Sequence, residues 1–402
     1  MGFNQSQCVL ALETAGTGGV ERAVEILLGG QDVQNPNSRD PVQLQSPSLN
    51  LSRISNISSL VLPISQYSFA ANVTAGNANA NVGNSACSAI ACVSATRLLL
   101  LLKRVQFQSR SRIIGEQSLN TLTLQAWGDY IKALTYCAQD FSPQPLPTPP
   151  IPNSEDMPPR ASTSAPTFNV EAAINTSDCL IESVRKGVSY ADEVRRQRTH
   201  RNGSECEHLE VGEAWEVVCI RESEQLHQQL NSDLSRVPLS SDIRINIPPF
   251  TSFPVVQGIL STENIMSILH EMSSLTQGNT FSTSSGNSGQ QQPVAMILCK
   301  PPETICIVCC PVQHVQQQSE YGSLAWLVFD SHPRPGRDGS SLTIFPENSL
   351  SEISGWLLQL LPPLDISALF EGEDGNGQEL MLQLTYNSFE YKLVTLNQDY
   401  EF

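Results

Sequence analysis

The order of apolar and polar positions along the chain predicts helices first and strands afterwards. Apolar residues recur at three- and four-residue spacing, typical of amphipathic helices, from about residue 85 and over residues 122–138, 170–196 and 263–275. A short extended segment is expected over residues 215–219. After residue 292 the apolar positions alternate, which predicts strands over residues 294–299, 304–310, 324–330, 380–386 and 389–396, with a helix over 350–361. This order is typical of an α+β fold with a mostly antiparallel sheet.

Changes in composition divide the chain into a small module, a linker and a larger domain. Residues 1–30 contain two short helical patterns separated by a glycine-rich turn, which predicts a small all-α module. Residues 31–58 are rich in Gln, Asn, Ser and Pro, so we expect a disordered linker there. Residues 59–402 are then one domain. Its proline-rich stretch at about 143–166 and its Gly/Ser/Gln-rich stretch at 276–292 are predicted to be flexible insertions.

The charge and the apolar runs exclude some classes of partner. The 402 residues include 23 basic and 40 acidic side chains, a formal net charge of −17, which argues against nucleic acid as a partner. The longest apolar run, residues 86–102, is shorter than the roughly 20 residues of a membrane-spanning helix, so no membrane partner is expected. Because the N-terminus lacks a basic and apolar leader, we expect a cytoplasmic or nuclear protein in a reducing compartment, with its 11 cysteines as thiols.

The best candidate nucleophile is Cys87. A Gly/Asn/Ser turn at residues 83–85 stands directly before the strongly apolar helix, so Cys87 falls in the first helical turn. The unpaired backbone N–H groups and the helix dipole at that position favour thiolate over thiol. Cys92 lies further along the helix on a different face and is predicted to be a core residue. A buried cysteine at a helix start can also be inert packing, and that interpretation stays open.

A candidate base and its orienting carboxylate stand at the end of the predicted strand 324–330. Alternate residues of an extended chain share a face, so Asp330 can orient the imidazole of His332. Pro333 ends the strand directly after this pair. The other interpretation of Asp330-Ser331-His332 is an Asx-type turn that is held by its own side chains.

A cluster of cysteines in the predicted sheet raises the question of a metal. Cys306, Cys309 and Cys310 are followed by His314, but a zinc site needs a second ligand pair at comparable spacing. The segment is β-branched and strand-like, so we expect strand cysteines that face a core. No metal and no other cofactor is predicted.

The N-terminal module resembles a known family. The opening Met1-Gly2-Phe3 and the following ALETAGTGGVERAVEILL are similar to a ubiquitin-associated (UBA) domain, in which a Met-Gly-Phe loop and a dileucine form an apolar ubiquitin-binding patch. The resemblance implies that ubiquitin binds at Met1, Gly2, Phe3, Leu27 and Leu28. The family has a helix before this loop. Because the chain begins at the loop, we expect either a start further upstream or a degenerate, partial module.

The boxes around Cys87 and around Asp330 and His332 resemble those of the papain-like deubiquitinases of herpesvirus large tegument proteins and their cellular relatives. The resemblance covers roughly residues 60–400 and implies a papain-like cysteine protease domain. Cys87 would attack the carbonyl at the ubiquitin C-terminus, His332 would transfer the proton and Asp330 would fix the imidazole. In this family a glutamine donates to the oxyanion. The resemblance implies that Gln66 and the backbone N–H of Cys87 have this role, and the alternatives to Gln66 are Asn77, Asn79, Asn81 and Asn84.

A third stretch between the two boxes, residues 176–187, looks like a helix that closes on Gly187. Together these inferences predict a deubiquitinating cysteine protease that hydrolyses the isopeptide or peptide bond at the C-terminus of ubiquitin, with UBA-type binding of ubiquitin or ubiquitin chains. The alternative is a catalytically inactive ubiquitin-binding adaptor with the same fold.

Overall fold

In the computed structural model of the chain, the described residues are 57–68, 86–110, 119–140, 167–202, 209–234, 249–278, 291–312, 323–334, 338–346, 350–364, 382 and 384–397. All of them belong to one compact unit that spans residues 54–402. The predicted module at 1–30, most of the predicted linker and the predicted insertion at 143–166 lie outside the described residues. Ser58, the last residue of the predicted linker, begins the first strand.

Six helices and eight strands make up the described part of the unit, which confirms the α+β class. The helices are α1 (Cys87–Arg110), α2 (Leu119–Asp140), α3 (Thr167–Asn202), α4 (Val211–Leu234), α5 (Thr262–Thr276) and α6 (Leu350–Leu360). The strands are β1 (Ser58–Val61), β2 (Phe250–Ser252), β3 (Val256–Ile259), β4 (Val294–Lys300), β5 (Glu303–Val312), β6 (Ser323–Asp330), β7 (Ser341–Phe345) and β8 (Ser388–Leu396).

The strands form one sheet in the order β1-β7-β6-β5-β4-β8-β2, and β3 also pairs with β8. Every described strand pair is antiparallel. The central strands are buried on both faces because helices cover both sides of the sheet. In β4, Ala295, Ile297 and Cys299 belong to the core that includes α1, and the alternate residues point to the face where α5 packs. Helices on both faces explain why these strands are almost continuously apolar.

Helix α1 lies between the sheet and the other helices of its layer. It contacts β4 and β5 on one side and α2, α3 and α4 on the others. Its long apolar run is therefore buried in protein: Ile90, Val93 and Leu98 are fully buried. Among the helices that the structure describes, none is long and apolar enough to span a membrane.

Most predicted elements are confirmed with small changes in their bounds. The predicted helices correspond to α1, α2, α3, α5 and α6, and four of the predicted strands correspond to β4, β5, β6 and β8. Strands β1, β2, β3 and β7 were not predicted. They are three to five residues long, too short for an alternating pattern to stand out.

The extended segment predicted at 215–219 is wrong, because these residues lie inside α4. Val211, Ala214, Trp215 and Val218 are all buried. Their spacing of three, four and seven residues is that of one helix face. The β-branched and aromatic content of the segment suggested a strand, but the spacing of its apolar residues over two turns decides for a helix.

The strand predicted at 380–386 is also wrong. Its described residues, 382 and 384–386, are helical, and the chain turns before β8 begins at Ser388. Asn387 holds this turn from the side: its Oδ1 accepts from the backbone N–H of Leu364 over 2.7 Å, and its Nδ2 donates to the carbonyl oxygen of Leu364 over 3.0 Å. Such a side-chain link between two backbone segments is invisible in the local apolar pattern.

Candidate active site

Cys87 is the first residue of α1, which confirms its predicted place in the first helical turn. The end of the helix points at the turn between β4 and β5. The sulfur of Cys87 lies 3.3 Å from the carbonyl oxygen of Pro302 and 3.6 Å from Oγ1 of Thr304. The residue is fully buried, with 0% of its surface exposed. The thiol is thus enclosed between α1 and the start of β5.

Asp330 and His332 meet at the end of β6. Nδ1 of His332 lies 2.6 Å from Oδ1 of Asp330, and the backbone N–H of His332 donates to the same oxygen over 3.0 Å. Both side chains are buried. The backbone contact is the Asx-type turn that the sequence offered as an alternative, so one carboxylate both holds the turn and orients the imidazole ring.

The imidazole of His332 and the thiol of Cys87 interact, and each shifts the pKa of the other. Burial raises the pKa of the Cys87 thiol, but the hydrogen bond and the charge of His332 lower it, and the net pKa lies below the usual cysteine value. For His332, burial lowers the pKa, whereas Asp330 and Cys87 raise it, so that the net pKa lies well above the usual histidine value. Both directions favour a thiolate–imidazolium pair.

The other cysteines behave differently. None of the nine cysteines in the described segments takes part in a disulfide. Cys92 is buried in the core, as predicted, and burial raises its pKa well above the usual value. Cys306, Cys309 and Cys310 are buried in β5, which confirms the prediction of strand cysteines that face a core. Across the described residues, no group of three or more His, Cys, Asp or Glu side chains is arranged to hold a metal.

Gln66 lies beside the turn that joins Asp330 to His332. Its backbone N–H donates to the carbonyl oxygen of Ser331 over 3.2 Å, and Oγ of Ser331 donates to its side-chain oxygen Oε1 over 3.3 Å. The side chain is buried. The structure therefore brings Gln66 to the same end of the sheet as the Asp–His pair. The four asparagines that were alternatives for the oxyanion role lie outside the described residues.

After β1 the chain continues alongside the residues that precede β7, and this backbone pairing leads it to Gln66. Beyond the β1–β7 ladder, the N–H of Leu62 donates to the carbonyl oxygen of Ser340 over 2.8 Å, and the N–H of Ser340 donates to the carbonyl oxygen of Ile64 over 2.7 Å. Gly339 allows this close approach, since a Cβ there would lie only 1.7 Å from the carbonyl oxygen of Leu62. Backbone pairing thus positions Gln66.

Two groups of site residues were not predicted from the sequence. Oγ of Ser88 lies 2.9 Å from Oγ1 of Thr304 and donates to the carbonyl oxygen of Leu209 over 2.8 Å, which links the start of α1 to β5 and to the segment just before α4. Arg334 contacts Asp330 and Glu303. Arg334 was visible as the end of the box Asp-Ser-His-Pro-Arg, but only the fold shows which carboxylates it meets.

The predicted ubiquitin-binding residues, Met1, Gly2, Phe3, Leu27 and Leu28, lie outside the described residues. The described part is an α+β protein in which a buried cysteine at the start of α1 interacts with a buried histidine, which is paired with an aspartate at the end of β6. A scan against models of known protein families and a search of curated proteins both find no match for the chain. The chemistry of the site is therefore the basis for a functional assignment.

Proposed function

We propose that this protein is a cysteine-type deubiquitinase with a papain-like catalytic arrangement. The observation that carries the proposal is the contact of Cys87 with an imidazole that Asp330 orients. Within this contact the pKa of the Cys87 thiol is lowered despite complete burial. Burial raises the pKa of the Cys92 and Cys306 thiols, and no histidine acts on either of them. An activated thiol beside a histidine is the arrangement that acyl transfer requires.

The chemistry follows from the positions of the three groups. The Cys87 thiolate attacks the carbonyl carbon of the terminal glycine of ubiquitin, and a C–S bond forms. The C–N bond then breaks as the His332 imidazolium gives its proton to the leaving amine. Neutral His332 next takes a proton from a water molecule, whose oxygen attacks the thioester carbon. The C–S bond then breaks, which releases the carboxyl group of ubiquitin and restores the Cys87 thiolate beside the His332 imidazolium. Asp330 keeps the imidazole in the required tautomer, and Gln66 with the N–H of Cys87 is the proposed oxyanion donor pair.

Ubiquitin as the substrate is supported by the sequence resemblance of both modules. The Met-Gly-Phe loop and the dileucine are the elements of a UBA patch, and the two boxes are similar to those of viral tegument deubiquitinases. In this proposal the N-terminal module binds ubiquitin or a ubiquitin chain. Its linker then raises the local concentration of the substrate at the catalytic domain without any further contact.

One observation favours the alternative of an inactive ubiquitin-binding adaptor. The sulfur of Cys87 is fully buried and faces the carbonyl oxygen of Pro302, so the turn between β4 and β5 covers it in this conformation. A substrate carbonyl must take a position next to that sulfur. A deubiquitinase therefore has to move this turn when ubiquitin binds, whereas an adaptor does not.

A ubiquitin derivative with a C-terminal electrophile distinguishes the two functions. We expect the full chain to form one covalent adduct with this probe, Cys87→Ala to form none, and Cys92→Ala to react at the wild-type rate. Intact-protein mass spectrometry measures the adduct. Labelling that persists in Cys87→Ala and is lost in Cys92→Ala would show that the nucleophile is wrong. Ubiquitin binding without any adduct in the wild type would support the adaptor.

Ubiquitin binding by the N-terminal module has its own test. We expect Phe3→Ala and Leu28→Ala each to weaken ubiquitin binding at least about tenfold, because a few buried apolar anchors supply most of the affinity of such a patch. Isothermal titration of the full chain with ubiquitin measures the change. Cys87→Ala is the control and should bind as the wild type does. Unchanged affinity in Phe3→Ala and Leu28→Ala would remove these residues from the binding site.

A further inference from the structure

Arg334 follows the end of β6, and its guanidinium bridges two carboxylates from different strands, Asp330 of β6 and Glu303 of β5. Nε donates to Oδ2 of Asp330 over 2.7 Å, and the two terminal nitrogens donate to Oε1 and Oε2 of Glu303 over 3.1 and 2.8 Å. The Arg334 side chain is 19% exposed and that of Glu303 is 29% exposed. Such a partly buried, bidentate fork fixes geometry more firmly than an exposed ion pair does.

The contact completes the set of hydrogen bonds around Asp330. Oδ1 of Asp330 accepts from the backbone N–H and the ring of His332, while Oδ2 accepts from Arg334. The Asp330 side chain is only 2% exposed. A buried carboxylate oxygen without a donor is unfavourable, and it is relieved by protonation or by rotation of the side chain. Either change would loosen the hold of Asp330 on the imidazole.

The same contact joins the two strand ends that carry the site. The β5–β6 ladder begins where Cys306 pairs with Phe329 and runs away from the site. Glu303, at the start of β5, and Arg334, after β6, meet beyond the end of that ladder. Thr304 follows Glu303 directly and contacts the Cys87 sulfur. Arg334 thus closes a ring of contacts from Cys87 through His332, Asp330 and Glu303 back to Thr304.

We propose that Arg334, held by Glu303, is a positioning residue that fixes Asp330 and thereby sets the geometry of the Cys87–His332 pair. The proposal rests on the proposed function in that it takes Cys87 and His332 as the reacting pair. Arg334 itself touches neither the thiol nor the substrate in this assignment. It acts through Asp330, and Glu303 acts through Arg334.

The test measures the thiol–imidazole pair directly and needs no ubiquitin. The full chain is treated with iodoacetamide from about pH 5 to pH 10, a range that covers the usual histidine and cysteine values, and the Cys87 peptide is quantified by mass spectrometry. The midpoint of the rate against pH reports the thiolate. It is the decisive readout because a merely loosened structure changes the limiting rate at high pH, whereas mispositioning of the imidazole moves the midpoint.

We expect Arg334→Gln to move this midpoint upward by about one pH unit, the size that loss of a close opposite charge or hydrogen bond typically produces. Asp330 then holds His332 less well, His332 stabilises the Cys87 thiolate less, and the thiol stays protonated to higher pH. The midpoint of Arg334→Lys should lie between those of Arg334→Gln and the wild type, because one nitrogen cannot donate to both carboxylates. Glu303→Gln should shift the midpoint in the same direction by less.

Arg221→Gln is the matched control. Arg221 also bridges two carboxylates, Glu193 and Glu224, but on α3 and α4. Its removal should leave the midpoint at the wild-type value. An unchanged midpoint in folded Arg334→Gln, or an equal shift in Arg221→Gln, would overturn the proposal. If Arg334→Gln does not fold, Glu303→Gln and Arg334→Lys decide by the same criterion. If the wild type is not labelled by the ubiquitin probe but the midpoint still shifts in Arg334→Gln, the deubiquitinase proposal fails and the positioning role of Arg334 stands.

Discussion

Replacement of His332 by glutamine is expected to slow covalent labelling of Cys87 by the ubiquitin electrophile about 100- to 10,000-fold, the range that general acid–base groups contribute to enzymatic rates. Glutamine keeps a polar side chain of similar reach but cannot carry a positive charge. Hydrolysis of a ubiquitin amide should be lost to at least the same extent, because it also needs a proton for the leaving amine.

The reason lies in the balance that sets the pKa of the Cys87 thiol. Burial of Cys87 raises that pKa, and the interactions with His332, through its hydrogen bond and its charge, are the main ones that lower it. Without the imidazole, burial dominates and the thiol is neutral at pH 7. The wild-type protein should therefore react with electrophiles at pH values below the usual cysteine pKa. His332→Gln should react only as pH rises through and above that value.

His270→Gln is the control for this prediction, since His270 is an exposed histidine on α5. Its labelling rate should stay within about twofold of the wild type, as is usual for surface substitutions away from the site. Thermal unfolding of both variants verifies that they are folded. A wild-type labelling rate in folded His332→Gln would show that the Cys87 thiol does not depend on this imidazole, and the catalytic assignment would fail.

The residues of the candidate site that the sequence predicts are those with a local signal. Cys87 follows a Gly/Asn/Ser run in the sequence and opens an apolar helix, so its place at a helix start is readable from about ten residues of sequence. Asp330 and His332 end an apolar strand with one residue between them, so their contact follows from strand geometry. Both expectations depend only on neighbours in the chain, and the structure places all three residues accordingly.

The supporting contacts could not be predicted, because they join residues that are far apart in the chain. Cys87 and Thr304 are separated by 217 positions, and Arg334 and Glu303 by 31. Nothing near Glu303 distinguishes it from an ordinary charged residue in a turn. Which carboxylate meets Arg334 depends on where the β5–β6 ladder ends, and that register is a property of the folded sheet.

The fold shows the same division between local and distant information. Long periodic segments predicted the central strands and most helices. The strands β1 and β7 are short, and their paired residues Ser59 and Thr343 lie 284 positions apart in the chain, so they are neighbours only through the sheet. The residues 176–187 were expected to end a helix at Gly187, but α3 continues to Asn202. Glycine at this position therefore needs another explanation.

That explanation is a close approach of α3 to α1. A Cβ added to Gly187 would lie 2.5 Å from the Cα of Ile90 and 2.7 Å from its backbone nitrogen. Ile90 is one helical turn from Cys87, so the packing of Gly187 supports the helix end that carries the candidate nucleophile. The obstacle is backbone, which a change of side-chain rotamer cannot relieve.

Gly187→Ala is therefore expected to lower the free energy of unfolding by about 2–3 kcal/mol, because α1 and α3 must separate to accept the methyl group. The better helix propensity of alanine, about 1 kcal/mol, opposes this loss but does not cancel it. Urea denaturation followed by circular dichroism measures the difference. The rate of Cys87 labelling by the ubiquitin electrophile should fall as well, since the start of α1 shifts relative to His332.

Gly355→Ala on α6 separates the steric effect from helix propensity. A Cβ added to Gly355 would have no neighbouring atom within 4 Å. This variant should gain about 0.5–1 kcal/mol, the usual advantage of alanine over glycine inside a helix. The two substitutions are chemically identical, so opposite signs would assign the loss in Gly187→Ala to the contact with Ile90. If Gly187→Ala is as stable as Gly355→Ala, α1 and α3 are not in close contact in solution, and the position of Cys87 relative to His332 has to be reconsidered.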